Sequence, residues 1–230
     1  MKRSLLAVAL LLSCGTVLAA QTVGSLPDKS PYVDLNDGMR FGVVVGWLAT
    51  GHDVVGVNPK SAPIVGVRYD WAIGGPVFLT TSAFATNTTR TVLDYTRSAA
   101  TRDIGTQPTG LFVFNLGIAM SLTGERSWHH LQPMIDLGVG IATGPGDKED
   151  ISGYGFGNQF SFSYGFGMRF VTGKNIELRA DLNQYWWALK YPQNYRSTQG
   201  DPVAIKPTGS LDSYTANTAL TIGATIRIFR

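Results

Sequence analysis

The sequence predicts an all-β chain: an eight-stranded antiparallel transmembrane β-barrel with up-and-down connections. Two observations lead to it. Eight segments alternate apolar and polar residues, at positions 40–50, 61–73, 76–86, 110–123, 131–143, 159–171, 174–189 and 217–229. Such period-two alternation marks strands with one apolar face. The gaps between segments run long, short, long, short, long, short, long, and an even strand number with short turns at one end and long loops at the other describes a membrane-spanning barrel. Each segment also supplies the roughly 9–11 tilted residues that a membrane strand needs.

Taken in order, the first segment sets Phe41, Val43, Val45 and Trp47 against Gly42, Val44 and Gly46. The second opposes Val65, Val67, Tyr69 and Trp71 to Gly66, Arg68 and Asp70. The third, 76–86, alternates poorly. In the fourth, Phe112, Phe114, Leu116, Ile118 and Met120 oppose Asn115, Gly117 and Ser121. The fifth carries Leu131, Ile135, Leu137, Val139 and Ile141 against Gln132, Asp136, Gly138 and Gly140. The sixth has six apolar or aromatic positions from Phe160 to Phe170, opposed by Ser161, Ser163, Gly165, Gly167 and Arg169. The seventh sets Ile176, Leu178, Ala180 and Leu182 against Glu177, Arg179, Asp181 and Asn183. The eighth ends the chain on Ile222, Ala224, Ile226 and Ile228, with Gly223 and Arg227 opposite.

An eight-stranded barrel has an interior just wide enough for side chains. The apolar faces hold too many Phe, Leu and Ile residues to fit there, whereas the glycine-rich polar faces do. The polar face is therefore expected inside and the apolar face against lipid. Closure pairs every strand edge, which hydrocarbon demands. Trp47 and Trp186 at one end, and Tyr69, Trp71 and Phe170 at the other, fall where two aromatic girdles belong.

The first twenty residues read as a signal peptide. Lys2 and Arg3 precede the apolar stretch 4–12, and 17–19 and 18–20 both resemble cleavage sites. Leu11-Leu12-Ser13-Cys14 also resembles a lipobox, so two processing routes stand open. Removing Lys2 and Arg3 leaves 17 basic against 16 acidic residues, a net +1. The sequence pI of 9.0 comes with no basic cluster and does not point to nucleic acid. Cys14 is the one cysteine, so no disulfide framework is available. Residues 21–39 are expected to form a polar periplasmic arm, in which Pro27 and Pro31 oppose a helix, and residues 40–230 the barrel.

The final strand, Thr221-Ile222-Gly223-Ala224-Thr225-Ile226-Arg227-Ile228-Phe229, together with Leu137-Gly-Val-Gly-Ile141, Phe166-Gly-Met-Arg-Phe170 and the run 175–181, resembles the small outer-membrane β-barrel family typified by the OmpA transmembrane domain. The resemblance covers about residues 40–230. It implies that Gly223, Ile226, Ile228 and Phe229 form an assembly signal read by the barrel-assembly machinery. One departure is that Arg230 follows Phe229, where the family commonly ends on an aromatic residue. The resemblance also implies periplasmic termini and external long loops at 51–60, 87–109, 144–158 and 190–216. The short connections are then 74–75, 124–130 and 172–173.

The inward face carries Arg68, Arg169, Arg179 and Arg227 beside Asp70, Asp136, Glu177 and Asp181. Balanced signs in a narrow lumen point to a structural salt-bridge network, since a buried charge needs a partner. The competing reading is a selectivity filter or proton path. His129 and His130 are adjacent, and neighbours on a strand face opposite ways, which makes a poor metal site. His52 stands apart. A hydrolase triad needs three converging groups, and no Ser and His share an apolar strand face. Asp147, Lys148, Glu149 and Asp150 read as a solvated loop rather than a Ca²⁺ site or a divalent bridge to lipopolysaccharide, since they lack the EF-hand pattern. Arg90, Arg97 and Arg102 lie in a loop where lipid phosphates would be in reach, but Asp94 and Asp103 interrupt them. No catalytic, cofactor-binding or metal residues are assigned, and no cofactor is expected.

The expected protein is a non-enzymatic barrel of a bacterial outer membrane, contributing to envelope integrity or surface interaction through its external loops. Its expected partners are outer-membrane lipid and lipopolysaccharide and the assembly machinery, with no nucleic acid. The alternatives are a narrow pore for ions or a small hydrophobic solute, a lipid-modifying enzyme, and a soluble barrel with its apolar face inside.

Overall fold

The computed structural model describes residues 30–35, 38–98, 100–145, 147–172, 175–196, 205 and 208–229. The expected signal segment, Cys14 and residues 21–29 of the expected arm lie outside the described residues. Two compact units divide the chain, Met1–Pro31 and Tyr32–Arg230, and the barrel belongs to the second.

The strands are β1 (Tyr32–Asp34), β2 (Met39–Ala49), β3 (Ala62–Gly74), β4 (Val77–Leu93), β5 (Asp103–Ser121), β6 (Arg126–Trp128), β7 (Leu131–Thr143), β8 (Asn158–Val171), β9 (Ile176–Lys190) and β10 (Asp212–Phe229). Eight of them close a ring in the order β2-β3-β4-β5-β7-β8-β9-β10, and β10 pairs back onto β2. Every neighbouring pair is antiparallel. This is a closed up-and-down eight-stranded barrel.

Alternation sets the two faces. Val45, Ile118, Leu137, Phe160 and Ile222 point outward and are 52%, 52%, 56%, 66% and 60% exposed, while Arg68, Asp70, Arg169, Glu177 and Arg179 point inward and are buried. The apolar side is thus the outer belt. The arrangement rests on close strand approach inside. An added Cβ at Gly140 would run into the carbonyl oxygen of Phe114, and one at Gly117 would meet the Leu137 carbonyl and lie 2.9 Å from the Gly138 Cα. Gly117 and Gly138 stand directly opposite each other in the β5–β7 ladder.

Two details differ from the sequence reading. β4 runs on to Leu93 and β5 starts at Asp103, so most of the expected loop 87–109 is a hairpin paired from Asn87↔Gly110 to Leu93↔Asp103. Backbone pairing continues there although neither face keeps an apolar alternation. The expected short turn at 124–130 contains β6, which pairs with β1 from the expected arm, Tyr32 opposite Trp128. His129 and His130 lie in a turn, within the connection 124–130 where the sequence places them. Their φ angles are 48° and 65°, a left-handed region that side-chain-bearing residues seldom occupy.

Candidate functional site

Inward positions near the short-turn end build an ion-pair network. Because strand side chains alternate, Arg68 and Asp70 of β3, Asp136 of β7, Arg169 of β8, Glu177, Arg179 and Asp181 of β9, and Arg227 of β10 all enter one lumen. Arg68 reaches Asp70 at 2.8 Å and Asp136 at 2.6 Å. Arg179 reaches Asp181 at 2.7 Å, Asp70 at 3.2 Å and Asp136 at 3.3 Å. Glu177 is a second centre: Arg169 lies at 2.8 Å and Arg227 at 3.0 Å. The eight inward charges thus form two ion-paired groups, Arg68, Asp70, Asp136, Arg179 and Asp181 in one and Arg169, Glu177 and Arg227 in the other. A ninth charge, Arg40 of β2, was not singled out from the sequence; it joins the second group and holds Glu177 at 2.9 Å. Its even number, shared with Gly42, Val44 and Gly46 on the same face, was the available signal.

The network closes around an apolar wedge. Phe78 is fully buried beside Ala119 and Met134. The Arg40 and Arg169 guanidiniums lie 5.5 and 5.4 Å from its ring centroid, within the range in which a ring face attracts a cation.

Toward the long-loop end the lumen turns apolar. Leu48, Ile64, Phe84, Leu111, Val113 and Trp187 belong to one buried cluster that continues into the loops through Tyr154, Phe156, Tyr191 and Tyr195. The ring centroids of Tyr154, Tyr191 and Tyr195 lie 5.8 to 6.3 Å apart. Burial lifts the Tyr195 hydroxyl to about 12 and raises Tyr191 and Tyr154 further.

Hydrogen bonds and ion pairs tie the loops into a cap. Asp53 accepts the backbone N–H groups of Val55, Val57 and Asn58 and the Tyr191 hydroxyl at 2.8 Å. Arg90, buried at the outer end of β4, pairs with Asp147 at 3.2 Å and Asp150 at 2.5 Å. It also donates to the carbonyls of Lys148 and Tyr154. Asp150 in turn accepts from Ser152, whose hydroxyl lies 2.9 Å from that of Tyr195. Burial pushes the Asp150 carboxyl up, but the hydrogen bonds from Ser152 and Arg90 outweigh it and hold it below the usual carboxylate range.

This corrects the reading of the loop acids and of Arg90. Asp147 and Asp150 are not solvated, and Arg90 is not free to meet lipid phosphates, because each satisfies the others inside the cap. Arg97 pairs with Asp94 at the surface, and Arg102 lies over Tyr95. On β10, Ile226 and Ile228 face outward at 50% and 43% exposure, and Gly223 packs against Val43 and Val44 of β2. Phe229 pairs through its backbone with Met39 after a register shift. The His129 ring meets Trp128 edge-on at 4.8 Å, and the His130 ring lies 6.2 Å from that of Phe170. Among the described residues no group of three or more His, Cys, Asp or Glu side chains is placed to hold a metal ion. Nor is any helix there long and apolar enough to cross a membrane, which leaves strands free to do so.

An eight-stranded closed antiparallel meander with an apolar outer belt is the architecture of the small outer-membrane β-barrels. Neisserial surface protein A has a similar fold: the two structures align with a TM-score of 0.50 at 8% sequence identity, over 84% of this chain and 98% of that one. At that identity the likeness is one of fold. The outer membrane protein OprG from Pseudomonas aeruginosa aligns with a TM-score of 0.49 at 10% identity, over 84% of this chain and 99% of that one. No protein-family model matches the chain, and no curated protein matches its sequence.

Proposed function

We propose that the protein is a closed, non-enzymatic barrel of a bacterial outer membrane. It serves envelope integrity and surface interaction by presenting a rigid loop cap on the cell surface. The observation that carries this reading is the doubly obstructed lumen. Ion pairs centred on Glu177 and Arg179 fill one part, and the aromatic cluster from Trp187 to Tyr195 fills another. A charge network with its partners satisfied resists rearrangement, because breaking any pair strands a buried charge.

Export through the signal segment places the short turns in the periplasm and the cap outside. The final strand, with Gly223, Ile226, Ile228 and Phe229, serves as the recognition signal for the assembly machinery. The outer belt contacts membrane lipid and lipopolysaccharide. The cap is the interacting surface: Val54 and Ile151 on its loops are each 73% exposed, and Tyr214 near the loop end of β10 is 69% exposed. Single large apolar groups held out on a stiff frame suit contact with a partner surface.

Planar-bilayer recording tests the closed lumen. The refolded protein is expected to give no steady single-channel steps. Steps that scale with salt would instead make it a narrow pore. Replacing residues 148–154 by a short glycine-serine linker is expected to leave the barrel folded and to reduce surface binding or raise envelope permeability. Neither changing would overturn the role given to the cap.

A further inference from the structure

A line of polar side chains crosses the apolar belt. In the ladders of β8, β9 and β10, Tyr164 stands opposite Gln184 and Gln184 opposite Thr218. The adjoining row on one side is Phe166, Leu182 and Leu220, and on the other Phe162, Trp186 and Ala216. The polar row is therefore embedded in the belt and does not merely mark its edge. Tyr164 is 41% exposed and Gln184 and Thr218 are half-buried, so all three reach the outer surface.

The hydrogen bonding of this row is incomplete. The Tyr164 hydroxyl donates to Gln184 Oε1 at 2.6 Å. The two Nε2 hydrogens of Gln184 and the Thr218 hydroxyl have no partner among the described residues. On a lipid-covered face no bulk water replaces one, and a polar group left unpaired there is costly. The row calls for a ligand that lies in the membrane and brings acceptors.

We propose that Tyr164, Gln184 and Thr218 form a ledge that binds the acyl carbonyl region of lipid A, the membrane anchor of lipopolysaccharide. The inference rests on the reading that the long loops face outward. Depth is the first argument. Trp186 belongs to the girdle at the level of the lipid headgroups, and Gln184 lies two residues further in, about 7 Å along the strand. That is where acyl carbonyls begin. Chemistry is the second. Carbonyl oxygens only accept, and the ledge offers two N–H donors and one O–H donor. The remaining lone pair of Gln184 Oε1 suits a donor, and the hydroxyl of a 3-hydroxyacyl chain supplies one. A glycerophospholipid has only acceptors at this depth, so the complete match is to lipid A.

Native mass spectrometry of the detergent-folded protein tests this, titrating purified hexa-acylated lipid A and, separately, dioleoylphosphatidylethanolamine. The wild type is expected to retain lipid A more tightly. The double variant Gln184→Leu/Thr218→Val is expected to lose about five- to tenfold of that affinity, the loss of one or two hydrogen bonds, with phosphatidylethanolamine unchanged. Both changes put apolar groups on a lipid face, and a retained mobility shift between boiled and unboiled samples confirms folding. Thr81→Val, on the outward face of β4 away from the ledge, is expected to leave lipid A retention intact. Equal retention by the double variant overturns the proposal, as does equal loss of both lipids or a change in self-association with lipid A binding unaltered. Failure of the underlying orientation shows separately, as a cysteine at Ile151 that a membrane-impermeant reagent does not label on intact cells.

Discussion

Arg40 of β2 and Glu177 of β9 meet at 2.9 Å although β10 separates their strands. The contact spans the seam at which the ring closes, because β10 pairs with both. Arg169 from β8 and Arg227 from β10 converge on the same carboxylate. One acidic side chain thus gathers arginines from three strands. Glu177→Gln keeps the shape and removes the charge, leaving guanidiniums of which two are almost wholly buried. Removing one partner of a buried pair costs on the order of 3–5 kcal/mol. The urea midpoint of the variant in lipid bilayers is expected to fall accordingly, and an unchanged midpoint would deny the network a part in stability.

Arg90 does for the cap what Glu177 does for the seam. Its guanidinium binds two carboxylates and two carbonyls from the loop 144–157, and it stands 5.1 Å from the centroid of the Tyr154 ring. Arg90→Met is expected to free that loop while the barrel stays closed. Limited proteolysis should then cut near residues 148–154 in the variant and spare the wild type, with the boiling-dependent gel shift unchanged in both. Arg90→Lys is expected to cleave like Arg90→Met, since an ammonium lacks the planar fork that serves several acceptors at once. Protection restored by lysine would show that charge alone holds the loop.

Most of the barrel was legible because the membrane imposes a simple rule. Where a strand touches lipid, most outward residues are apolar, and β2, β5, β7 and β8 announce themselves in this way. The inward charges followed from the same parity, which also covered Arg40. The rule stops where lipid stops. In β4 beyond Thr86 and β5 before Gly110 apolar residues no longer alternate with polar ones, so a paired hairpin looked like a loop, and Arg90 inside it looked exposed. The cap was illegible for a second reason. Its core joins Tyr154 of one loop to Tyr191 and Tyr195 of another, and no local period records a contact made across the mouth of a barrel.

The cap should also respond to pH in two separated windows. The folded Asp150 carboxyl is held low by Ser152 and Arg90. A lowered carboxylate contributes stability that is present above the ordinary value near pH 4 and is lost as pH falls through the folded value. Tyr195 is the opposite case: burial raises it to about 12. Its contribution is whole below the ordinary tyrosine value of about 10 and is lost as pH rises from there through the folded value. The near-ultraviolet circular dichroism of the tyrosines is expected to hold between these windows and to fade in each. In Asp150→Asn the acid loss should shift or vanish while the alkaline loss remains. Identical acid behaviour in wild type and variant would remove Asp150 from the account.

Gly140 tests the inner surface of the barrel without touching a charge. It stands opposite Asn115 in the β5–β7 ladder, and a Cβ there would collide with the Phe114 carbonyl oxygen and lie 2.8 Å from the Asn115 Cα. Backbone cannot yield as a side-chain tip does, so the two strands must separate locally. Overpacking of this kind costs about 1–3 kcal/mol. Gly140→Ala is expected to lower the urea midpoint by a matching amount and Gly140→Val by more. Alanine at Gly153, where φ is +76° and no atom lies within 4 Å of the added Cβ, tests the other kind of glycine. Its strain is local to a loop, so the barrel midpoint should hold while the cap loosens. If Gly140→Ala leaves the midpoint unchanged, the β5–β7 pair has more freedom than its ladder implies, and close strand approach is not what keeps this lumen narrow.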